Sequence, residues 1–112
     1  MANNQKFSNE ERQIFYGNYP LVSESLPLKT SVEEGDVIGV DEAGNYGKYN
    51  KSVTYTTPYA IAYEGATFSS DPVNCTCLLA AYVVEKFVKL PENASEKLKL
   101  KQELRKIGLF IK

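Results

Sequence analysis

The sequence predicts a small, mainly β domain with one helix near its C-terminus and an extended N-terminal arm. Three observations carry that expectation. From residue 26 to residue 90, short apolar or β-branched runs alternate with glycine, proline and acidic turn signals. From Asn93 onward the pattern changes to a capped, charged helix. Residues 1–25 follow neither a 3.6 nor a 2.0 period, and so read as an arm outside the folded domain of residues 26–112.

The arm is rich in Asn, Gln, Glu and Ser, yet it holds an aromatic and apolar knot: Phe15, Tyr16, Tyr19, Pro20, Leu21 and Val22. Rings carried on a polar arm gain by burial, which points to docking on a partner; a leader, or a lid over the domain's own core, is the other reading. Leu26 to Val40 reads as two short strands around the Glu33-Glu34-Gly35 turn. Asp41 to Gly44 turns again, and Asn45 to Asn50 returns as a strand. Val53 to Pro58 is extended and stops at proline. Tyr59 to Tyr63 has the compact apolar character of a buried strand, and Cys75 to Val84 is the strongest strand of the chain.

After Pro91, Asn93 stands as the cap of a helix with Glu96 three residues on, a capping-box arrangement. The helix is expected to run to about Ile107, followed by Gly108 in a left-handed conformation and a short strand Leu109–Ile111. Leu100, Leu104 and Ile107 fall on one face. Leu98 lies roughly 160° away at 100° per residue, so it is expected either to pack under a loop or to meet another subunit.

Bulk composition narrows the function classes. The 112 residues carry 43% hydrophobic and 24% charged side chains, which fits one ordinary globular domain. The longest apolar run, Leu78 to Val84, is far short of the roughly 20 residues that span a bilayer, and the N-terminus lacks an apolar signal segment. No membrane partner is therefore expected, and a cytoplasmic site of synthesis is. The net charge of −1 hides a split. Residues 1–85 hold five basic and eleven acidic side chains, and residues 86–112 hold eight basic and three acidic ones. Most of those late lysines fall on one helix, as a solvated face, so no nucleic-acid footprint is expected.

Chemistry is sparse. The chain has no histidine, no Gly-x-Ser-x-Gly elbow and no Gly-Lys-Ser/Thr step before a helix, so neither the usual nucleophile–base pair nor a P-loop is expected. Cys75 and Cys77 point to one face of a strand at a spacing unsuited to a disulfide. Without further ligands they read as two buried thiols, and neither a metal nor a cofactor is expected. The acidic cluster Glu33, Glu34, Asp36, Asp41 and Glu42 lacks the spacing of a calcium loop. "VEEGDVIG" resembles part of a biotinyl or lipoyl carrier domain, with Lys48 as the lysine to modify, but Lys48 lacks the neighbours those domains use. The tyrosines could stack on sugars or bases; spread through strands, they fit sheet packing better.

Three stretches, "GDVIGVDEAGNYGKYNK", "PYAIAYEGA" and "NCTCLLAAYVVEKFVKLPENASEKLKLKQELRKIGLFIK", together resemble the lambda-like bacteriophage head decoration proteins. The last is the most specific: strand, proline turn, charged helix, glycine, short apolar strand. The resemblance covers residues 26–112. It departs from the family at Leu90, where tryptophan is common, at Thr57-Pro58, where Asp-Gly is common, and in the aromatic arm. It implies a β-clip-like fold with no active site, and trimers that sit on the outside of an expanded capsid at threefold positions and brace it against packaged DNA. The implied partners are the major capsid protein and the chain itself, with Leu98 a possible subunit contact. The implied location is the virion exterior, and the arm would order on the capsid while being dispensable for folding.

Overall fold

The computed structural model describes residues 21–112. They form strands Val22–Leu28 (β1), Val37–Val40 (β2), Tyr46–Lys48 (β3), Thr57–Ala62 (β4) and Val73–Val83 (β5). Helix Ala94–Lys106 (α1) and strand Leu109–Ile111 (β6) follow. The strands lie in the order β1-β3-β2-β4-β5-β6, and β1 also pairs with β5, so the first five close into a barrel-like ring with β6 appended. The fold is thus mainly β with one helix near the C-terminus, the class the sequence predicts.

Alternation along the strands builds two cores, one on each side of the sheet. Leu26 and Leu28 from β1, Ile38 from β2, Ala60 and Ala62 from β4, and Cys75 and Cys77 from β5 fill the inside of the ring, with Tyr46 of β3 packed against them. Their sequence neighbours Val37, Ile61 and Leu78 face outward and are covered by Leu100 and Leu104 of α1, Leu109 of β6 and Val88. The 11-residue strand β5 serves both cores through a change of phase. Val22 pairs with Ala80 but Ser23 with Leu78, so Leu79 is an extra residue on β5. Such a bulge resets which side chains face inward, and it puts both Leu78 and Ala81 under the helix.

The helix starts as its sequence demands. Asn93 Oδ1 accepts from the Glu96 N–H at 3.0 Å, a cap that contributes about 1 kcal/mol. It ends one residue earlier than expected. Ile107 is the C-cap, with φ −104° and ψ 9°, and is 41% exposed, so it leaves the buried face of Leu100 and Leu104. Gly108 then takes φ +102° and turns the chain into β6, parallel to β5.

One boundary expected in the N-terminal region needs adjustment. Phe15, Tyr16, Tyr19 and Pro20 lie outside the described residues. The stretch from Val22 to Ser25, expected as arm, is the first half of β1 and pairs with β5 throughout. Its side chains are exposed, so no apolar period marks it; the backbone ladder alone holds it.

Candidate interaction surfaces

Four glycines between residues 35 and 47 raise the question of a ligand-cradling loop. Gly35 and Gly44, at φ +89° and +91°, turn the chain. Gly39 and Gly47 do something else: they stand directly opposite one another in the β2–β3 pair. A Cβ on Gly47 would lie 2.5 Å from the Tyr55 ring, and one on Gly39 would lie 2.3 Å from the Tyr55 carbonyl oxygen. The paired glycines therefore make room for Tyr55 to lie against the strands. Residue 54, a threonine at φ +56°, bends the chain immediately before it.

The acidic cluster also divides by role. Asp41 Oδ1 accepts from the Ala43 N–H at 2.9 Å and the Asn45 N–H at 2.8 Å, closing the β2–β3 turn. The bond from the Asn45 backbone is the main reason its carboxyl stays below the usual aspartate range. Asp36 is buried, its Oδ2 accepting from the Glu33 N–H at 2.7 Å, with Lys48 Nζ 3.9 Å away. Glu33 pairs with Lys89, whose hydrogen bond lowers the pKa of the carboxyl and raises that of the ammonium. Each of these carboxylates supports the loop it sits in. Lys48 itself lies within β3 opposite Ile38, away from the hairpin tip at Asp41–Gly44.

A cleft of about 1150 Å³ runs between the Lys48–Lys51 segment and α1. Tyr49, Leu90 and Leu100 line it, with Lys51, Lys89, Glu96 and Glu103 among the charges. Lys51 pairs with Glu96 across it, fastening the loop to the helix. Tyr49 is packed against the outer core, and burial is the first cause of its raised pKa, with Glu103 next. With cations and carboxylates interleaved, the cleft presents no single sign of charge to a ligand.

The thiols are placed as expected: Cys75 and Cys77 are free and buried inside the ring. Cys77 Sγ lies 3.4 Å from the Cys75 carbonyl oxygen, and burial pushes both thiols up, Cys77 most strongly. A thiol so raised is a poor nucleophile. Among the described residues, no group of three or more His, Cys, Asp or Glu side chains could hold a metal. No helix there is long and apolar enough to cross a membrane. The six described tyrosines are all half-buried. Two of them, Tyr46 and Tyr59, meet at a 43° tilt with ring centroids 5.0 Å apart, and Tyr82 meets Phe110 edge-on at 5.3 Å. These rings pack the sheet.

Among the described residues, the large apolar side chains left exposed are Leu21, Val22, Val53, Leu98 and Ile107. Leu21 and Val22 are 54% and 46% exposed at the point where the arm enters β1. Leu98, 58% exposed, stands on the solvent side of α1, away from Leu100 and Leu104. The sequence had singled out these three residues; no periodic signal marks Val53. No family model matches the chain, and no curated protein does.

Proposed function

We propose that this chain is a structural protein of a bacteriophage or prophage head, which binds the outside of the expanded capsid and stabilises it against the pressure of packaged DNA. It acts as a homotrimer at threefold positions, with the major capsid protein as its partner. It uses no cofactor or metal and catalyses no reaction. The observation that carries the reading is the junction at Leu21 and Val22. There an aromatic-bearing arm enters a strand locked into a closed ring, with its last apolar side chains left in solvent.

An arm rooted in a rigid ring can transmit load, because force on it is borne by the whole β1–β5 ladder. Burial of Phe15, Tyr16, Tyr19 and Leu21 on the shell would supply about 25 cal/mol per Å² of apolar area, less the cost of ordering the arm. Three arms from one trimer would multiply a weak contact through effective concentration. Leu98 is the proposed contact between subunits. The test is sedimentation of the purified chain with expanded and unexpanded shells of the encoding phage. Saturable binding to the expanded form alone is expected; binding to neither would remove the proposal.

A further inference from the structure

The outer edge of β1 is open along its N-terminal half. The Thr76 carbonyl of β5 accepts from the Tyr63 N–H at 2.9 Å, so it faces away from β1. Ser25 stands opposite Thr76. In an antiparallel pair, residues alternate between exchanging both bonds with the partner strand and turning both groups away. The N–H and C=O of Ser25 therefore point away from β5, as do those of Ser23, two residues earlier. The far end of the strand keeps the same phase: the Lys29 N–H donates outward to the Tyr46 carbonyl at 2.9 Å. On this side β3 meets β1 only at Leu28 and Tyr46. Among the described residues, no strand lies beside Ser23 and Ser25.

A second open edge lies on the other flank of β5. Val22 is in the phase that bonds β5, and it stands opposite Ala80. Ala81, one residue on, turns to the opposite side, where its N–H donates to the Gly108 carbonyl at 3.1 Å. The Lys112 N–H donates to the Val83 carbonyl at 2.9 Å. In a parallel pair too, only alternate residues of a strand bond a given neighbour. Gly108, Phe110 and Lys112 are the ones that face β5, so the N–H and C=O of Leu109 and Ile111 point away from it. β6 ends the strand order, and among the described residues no strand lies beyond it. Each edge thus offers two outward-facing residues, two positions apart.

We propose that these two edges meet between copies of this chain, β6 of one subunit pairing antiparallel with the N-terminal half of β1 of the next. The inference rests on the trimer proposed above. A threefold ring needs two different, mutually fitting surfaces on every subunit, and the opposite flanks of β5 supply them. Rotation about an axis along β5 keeps every β5 pointing the same way. β1 runs against β5 and β6 runs with it, so the two edges meet antiparallel. Ser23 across from Ile111 and Ser25 across from Leu109 uses all four open residues. A slide by two residues toward Pro27 brings up a position with no N–H, and the opposite slide carries Ser25 past the start of β6. The chosen register sets exposed Glu24 across from Phe110, and Arg105 lies over that ring, its guanidinium carbon 5.8 Å from the centroid. A carboxylate on one edge so faces a cation beside the other. Arg105 also follows Leu98 by two helical turns on one stripe of α1, which makes the strand pair and the Leu98 contact a single surface.

Val22 of one subunit and Lys112 of the next would form a pair that exchanges no bonds, with Cα atoms about 4.5 Å apart, within reach of a disulfide. The full chain carrying Val22→Cys and Lys112→Cys is expected to oxidise in air to covalent trimers, read on a denaturing gel without reductant. Neither single variant should pass the dimer, because the bond joins two different positions. Light scattering of the unaltered protein separates the two claims. A trimer whose double variant gives no covalent trimer overturns the strand pairing and leaves the trimer standing; a monomer overturns both. Should the double variant misfold, charge exchange decides. Glu24→Arg and Arg105→Glu each bring like charges together and should each weaken the trimer about tenfold or more, while the two combined should restore most of the loss. Single variants that assemble as the unaltered protein does, or a combination no better than either, would rule the pairing out.

Discussion

The two halves of β1 are held by different means. Leu26 and Leu28 are buried inside the ring, and the strand is flanked there by β5 on one side and by Tyr46 on the other. From Val22 to Ser25 the side chains are exposed and only the ladder to β5 remains. Side-chain burial fixes the C-terminal half against the core. The N-terminal half keeps its place through backbone bonds alone, and it is the half that receives the arm. A buried end and an exposed end on one strand suit the proposed role, in which the domain stays folded while its arm binds a partner.

The largest contrast is expected between Leu28→Ala and Val22→Ala. The first empties a fully buried site and should cost about 2–5 kcal/mol in urea unfolding; the second should stay within about 0.5 kcal/mol. Equal losses would erase the distinction between the two halves. Next comes the closed end's packing on Tyr55. Gly47→Val drives a side chain into the ring and should cost at least about 1–3 kcal/mol. In the Tyr55→Ala background most of that penalty should vanish, as a double-mutant cycle would read.

A smaller effect separates the turn beside the closed end from the rest. The Asp41 carboxyl is held below its ordinary value of 3.8, chiefly by the Asn45 N–H. Its contribution is therefore present above that value and is lost as pH falls through the lower folded one. Between pH 6 and pH 3, Asp41→Asn should lose less stability than the unaltered protein does; parallel curves would contradict the assignment. Smallest of all for the single chain is Leu98→Ser, expected within about 0.5 kcal/mol. Its effect should instead appear in light scattering, as a shift from trimer toward monomer.

The same contrast explains what could be read from the sequence. β5, the capped helix, Gly108 and the last strand were legible because apolar runs, Asn93 with Glu96, and a glycine stop are local signals. The start of β1 was not, because Ser23-Glu24-Ser25 buries nothing, and a ladder to residues fifty positions away leaves no period. Ile107 fits the helical face by count, but the helix releases it at the cap. Gly39 and Gly47 read as turn residues, yet only the register of β2 against β3 reveals that they share one aromatic neighbour. Leu21, Val22 and Leu98 were legible as candidates because each is an apolar residue out of step with its surroundings.

The central claim is that a self-sufficient β domain carries a separable attachment arm. Deleting residues 2–20 stops short of β1 and keeps every described strand. Sedimentation of this truncation and the full chain with expanded heads, alongside their melting temperatures, tests the claim most directly. The account predicts a melting temperature within a few degrees of the full chain, since the buried core residues all lie from Leu26 onward among the described residues, and loss of head binding. A truncation that still decorates heads with full affinity, or one that no longer folds, would contradict it.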